Sequence, residues 1–127
     1  MLPVKSTPLD QLTWKVEIEN GLKPVLCINS RIPDAKGQLV RNPRFQSLIL
    51  PAALRQIIMF YLWNDETDDD DPVAVQWLSF AEHILHERPH ETDPLMLMQW
   101  VDNVVSEFSK AFKLTDILLL KLEEGSA

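Results

Sequence analysis

The chain has 127 residues, of which 46% are hydrophobic and 24% charged, with four Trp and a net charge of −7. That length fits one domain spanning 1–127, and the aliphatic and aromatic content excludes a disordered chain. The acidic balance argues against generic duplex binding, which rests on Lys and Arg neutralising phosphates.

The charge is divided unevenly. Residues 1–64 carry +4 and residues 65–127 carry −11. The sign changes at the run Asp65-Glu66-Thr67-Asp68-Asp69-Asp70-Asp71. Such asymmetry bears on partners and solubility rather than on fold.

Residues 1–10 contain two prolines and read as an extended lead-in. From Leu12 to Glu19 apolar and polar residues alternate, with Leu12, Trp14, Val16 and Ile18 on one face. That is the period of a half-buried strand. Asn20-Gly21 is a hairpin turn signal, and Pro24 to Ser30 supplies the returning strand. Residues 31–46 form a polar connector holding Arg31, Lys36, Arg41 and Arg44. Short strands are predicted at Gln38–Val40 and Phe45–Leu50. Residues 1–50 are thus predicted to be mainly β and mildly basic.

The remainder, 51–127, is predicted to be helical and acidic. Pro51, Pro72 and Pro94 each mark a helix start, because proline lacks only an N–H that the first turn leaves unpaired anyway. Asp71 and Asp93 precede two of them as N-caps. The first helix buries Leu54, Ile57, Ile58, Tyr61 and Leu62. The second buries Val73, Trp77, Phe80, Ala81, Ile84 and Leu85. The third buries Leu97, Val101, Val104, Val105, Phe108 and Phe112, with Met96 and Trp100 off the stripe. A last helix, capped by Thr115, contains Ile117, Leu118, Leu119, Leu120 and Leu122 and is apolar most of the way round. Either it is well buried or it meets another chain.

The predicted fold is therefore α+β. A small antiparallel sheet of two to four strands packs against three or four C-terminal helices.

One formal motif is present. His86-Glu87-Arg88-Pro89-His90 satisfies the H-E-x-x-H pattern of zinc peptidases, whose histidines sit one turn apart on a helix. Pro89 breaks that geometry by removing a hydrogen bond and displacing the preceding residue from helical angles. His83, His86 and His90 could otherwise form a metal site of lesser specificity. The acidic run lacks the ligand spacing and terminal Glu of a calcium loop. No cofactor is implied. The single cysteine, Cys27, lies in an apolar run and reads as a small buried hydrophobe. No G-x-S-x-G or other nucleophile motif is present. No apolar run approaching the roughly 20 residues of a membrane span is expected. A cytoplasmic location without a membrane partner is expected.

These features point to a non-catalytic interaction protein: a regulator, an inhibitor of the immunity-protein type, or a small subunit of an assembly. Asp65, Glu66, Asp68, Asp69, Asp70 and Asp71 are the residues expected to meet a basic protein. Leu118 and Leu119 are expected to supply buried area, against that partner or in a homo-oligomer through the C-terminal helix. Two other readings compete. One is a metal-dependent hydrolase built on the H-E-R-P-H segment. The other is a nucleic-acid-associated component using Arg31, Lys36, Arg41 and Arg44.

Overall fold

A computed structural model describes residues 2–19, 22–34, 37, 39–63, 71–87 and 93–125. Three strands come first: β1 (Val4–Thr7), β2 (Trp14–Glu17) and β3 (Val25–Asn29). Four helices follow: α1 (Pro43–Trp63), α2 (Pro72–Leu85), α3 (Pro94–Ala111) and α4 (Leu114–Gly125). The fold is α+β, as predicted from strands preceding helices.

β2 and β3 form the predicted hairpin, with Trp14 opposite Ile28 and Val16 opposite Leu26. The sheet departs from the purely antiparallel expectation. The lead-in contributes β1, which pairs parallel to β3, giving the order β1-β3-β2. The link from β1 to β2 must therefore cross the end of the middle strand in a few residues. It does so with Asp10 in the left-handed region, at φ 54°. The crossing is held by Asn29, a buried amide at the end of β3. Its Nδ2 donates to the carbonyls of Asp10 (2.7 Å) and Leu12 (2.8 Å), and its Oδ1 accepts from the Arg31 N–H (3.1 Å). Every polar atom of the amide is thus in use, as burial demands.

On the outer sheet face, Lys5 and Lys15 flank Cys27 in register. Glu17 pairs with both ammonium groups, at 2.9 and 3.8 Å. Cys27 is a free, fully buried thiol, and that burial pushes its pKa up.

α1 begins well before Pro51. Asn42-Pro43 is the true start: Asn42 Oδ1 accepts from the Arg44 N–H at 2.8 Å, and Pro43 takes the first turn. The predicted strand at Phe45–Leu50 is helix, and Pro51 lies inside it. Proline cannot donate to the carbonyl four residues back, so one rung of α1 is missing. Of the predicted strand Gln38–Val40, Gln38 lies outside the described residues, while Leu39 and Val40 are not in a strand. They pack in the sheet-side core instead.

α1 is the element that every other layer leans on. Phe45 joins Leu26 and Ile28 under the sheet. Ile57 and Tyr61 join Ala74 of α2. Leu54 and Ile58 join Ala81, Trp100, Val101, Val104 and Val105 between the helices. By length and composition alone α1 could cross a membrane. In this fold a third of that apolar stretch is buried, against the strands and the other three helices, while Leu48 is exposed.

Two helix faces differ from expectation. Trp100 is buried rather than off the stripe, and its Nε1 donates to the Glu87 carbonyl at 3.3 Å. α3 touches both α1 and α2, which widens its buried arc beyond one i, i+4 row. Conversely, Phe80 and Phe112 are 40% and 58% exposed.

Candidate functional site

The residues predicted to bind a partner fall into three groups. Asp65, Glu66, Asp68, Asp69 and Asp70 lie outside the described residues. Asp71 is placed, and its carboxylate works within the fold. It is buried and caps α2 by accepting from the Val73 N–H at 3.0 Å. Tyr61 lies near it. The Tyr61 hydroxyl is buried with no hydrogen-bond partner among the described residues; burial first, and the Asp71 charge second, raise its pKa.

On α4 the apolar residues divide between two sides. Leu114 is buried and Ile117 and Leu118 are half-buried, on the side turned to α1 and α3. Leu119 and Leu120 are 54% and 59% exposed. The helix is therefore only half covered, with Asp116 and Glu123 exposed among its outer leucines. Lys113, in the left-handed region at φ 51°, turns the corner into α4. The helix consequently starts one residue ahead of the predicted cap, Thr115.

Arg31 and Arg41 are exposed, and Lys36 lies outside the described residues. Arg44 is a tie: its Nη2 donates to the Lys121 carbonyl at 2.6 Å, fastening the start of α1 to the last turns of α4. Arg55 on α1 pairs with Asp102 on α3.

Of the three histidines, His83 and His86 lie among the described residues. α2 ends at Leu85, and His86 is its left-handed cap at φ 59°. His83 and His86 are exposed with ring centroids 5.9 Å apart, and His90 lies outside the described residues. Among the described residues no group of three His, Cys, Asp or Glu side chains could hold a metal ion.

Concave features among the described residues were not anticipated. At the α3–α4 corner an open hollow of about 470 Å³ is lined by Ser106, Ser109, Lys110 and Lys113, among others. Two of its groups are already engaged: Ser109 donates to the Val105 carbonyl, and Lys110 pairs with Glu107. Another is a cleft of about 310 Å³ along α2, lined by Lys23, Val73, Gln76, Trp77 and Phe80. Three of its α2 residues, Val73, Trp77 and Phe80, were legible as part of a helix stripe. It reads as core, and only the tertiary fold leaves part of it uncovered.

Comparison with protein-family models, with curated proteins and with solved structures finds no match.

Proposed function

We propose that the protein is a non-catalytic interaction module that binds a basic protein through its acidic C-terminal half. The observation that carries this reading is the outer side of α4, where Leu119 and Leu120 stand exposed beside Asp116 and Glu123. An apolar strip inside an acidic field is the composition of an interface: burial supplies affinity, and charge steers the encounter and selects the partner's sign. The −11 of residues 65–127 provides that field, most densely at the run Asp65–Asp71.

The test is native mass spectrometry of tagged protein purified from its own cells at low salt, followed by reconstitution with whatever basic chain co-purifies. A stoichiometric complex that dissociates as salt rises toward about 0.5 M, where charges more than a few ångströms apart are screened, supports the reading. Leu119→Ser/Leu120→Ser should weaken it by speeding dissociation. Asp68→Asn/Asp69→Asn/Asp70→Asn should mainly slow association. If both variants bind the partner like the parent, the reading is wrong.

A further inference from the structure

We propose that the cleft along α2 binds a small amphipathic carboxylate, with its apolar body against Trp77 and Phe80 and its carboxylate on the Lys23 ammonium. This goes beyond the protein–protein reading and uses a different surface.

The walls are set by well-anchored elements. Val73, Gln76, Trp77 and Phe80 form one stripe of α2, and the first turn of that helix is fixed by the Asp71 cap and Pro72. On the other side Lys23 immediately precedes Pro24, which is fully buried and fixes the backbone from which the lysine projects. Trp77 and Phe80 meet edge to face, with centroids 6.1 Å apart and planes at 84°. The same two rings also line a second cavity of about 140 Å³. Its remaining walls, Leu2, Leu50, Leu54, Ile57 and Phe108, are entirely apolar. The aromatic pair therefore borders two hollows, one of mixed lining and one apolar, and Phe80 stays 40% exposed. The larger hollow, about 310 Å³, stands at the small end of ligand pockets, which run roughly 300–1,000 Å³.

Charge selects the ligand's head. Lys23 is exposed, and no carboxylate among the described residues forms an ion pair with it. The Gln76 amide lines the same cleft and can donate to an anion. A molecule of net charge −7 repels anions in general. A carboxylate held here needs apolar burial as well as the ammonium, and the aromatic walls supply it.

The test uses the full chain and decanoate below its micellar range. Binding is followed by titration calorimetry and tryptophan fluorescence, with decan-1-ol as the uncharged comparator. Saturable one-to-one binding of decanoate is expected, tighter than that of decan-1-ol. Lys23→Gln should weaken decanoate about tenfold, as loss of a charge-assisted hydrogen bond does, and leave decan-1-ol unchanged. Phe80→Ser should weaken both. Each altered side chain is substantially exposed, and urea midpoints near the parent's would establish that both variants fold. Non-saturable uptake, equal affinity for the two probes, or affinities indifferent to both substitutions would overturn the assignment.

Discussion

Replacing Asn29 by alanine tests how the sheet is tied together. The amide makes three hydrogen bonds, at 2.7, 2.8 and 3.1 Å, to the crossing link and the chain just beyond β3. A net value of about 1 kcal/mol each suggests a loss of ~3 kcal/mol. Water reaching the freed Asp10 and Leu12 carbonyls would reduce that to ~2 kcal/mol, whereas leaving them dry would raise it. With stabilities of about 5–15 kcal/mol typical for a domain, this is a large fraction of the total. Urea denaturation, with slopes of about 1–3 kcal/mol per molar, should show the midpoint falling by ~1–2 M. Asn29→Asp sharpens the test. At neutral pH the introduced carboxylate cannot donate and faces two carbonyl oxygens, so this variant should be less stable than Asn29→Ala. Its folded-state pKa is then raised above its unfolded value. Its stability deficit should therefore be smallest below the unfolded carboxyl pKa of about 4 and grow as pH rises through the folded value. An alanine variant within about 0.5 kcal/mol of the parent would refute the reasoning. So would a carboxyl variant whose difference from alanine does not depend on pH.

Asp71→Ala should destabilise by about 1 kcal/mol through loss of the α2 cap, seen as a lower urea midpoint, with Asp71→Asn retaining most of it. Ile58→Ala removes a fully buried side chain between α1 and α3 and should cost about 2–5 kcal/mol in the same assay. Cys27 should be silent to a thiol reagent in the native protein and react once per chain in urea. Its raised pKa, like that of Tyr61, means that stability is full below the unfolded values and declines as pH climbs past the ordinary thiol range, about 8.5. Denaturation midpoints between pH 8 and 11 would show that decline or its absence.

The parts of the fold that were legible in the sequence are those where local chemistry and tertiary packing agree. The hairpin followed from alternation between Leu12 and Glu19 with Asn20-Gly21 after it, and the starts of α2 and α3 followed from Asp71-Pro72 and Asp93-Pro94. Asn42-Pro43 carries the same cap-and-proline signal, yet Pro51 drew the boundary because proline is costly inside a helix. Tertiary packing overrode that cost: the segment ahead of Pro51 buries Phe45 under the sheet. β1 was illegible for a different reason. Val4 to Thr7 has almost no pattern of its own and becomes a strand only because β3 offers it an edge. The site was less legible still. Leu118 and Leu119 read alike in sequence, and which of them is covered depends on where α1 and α3 stand. Trp77 and Phe80 read as core because nothing local announces that a neighbouring layer stops short.

The strand order also sets a sequence of events. β2 and β3 are neighbours along the chain and can zip as a local hairpin, whereas β1 must wait for a template made some twenty residues later, pairing Val4 with Leu26. Non-local parallel pairing is entropically slow, and strands held on one side only are the first to open. Backbone amides of β1 should therefore exchange with solvent deuterium ahead of those in β3 and in the centre of α1. The strand that comes first of the three along the chain would be the last to join the sheet and the first to leave it.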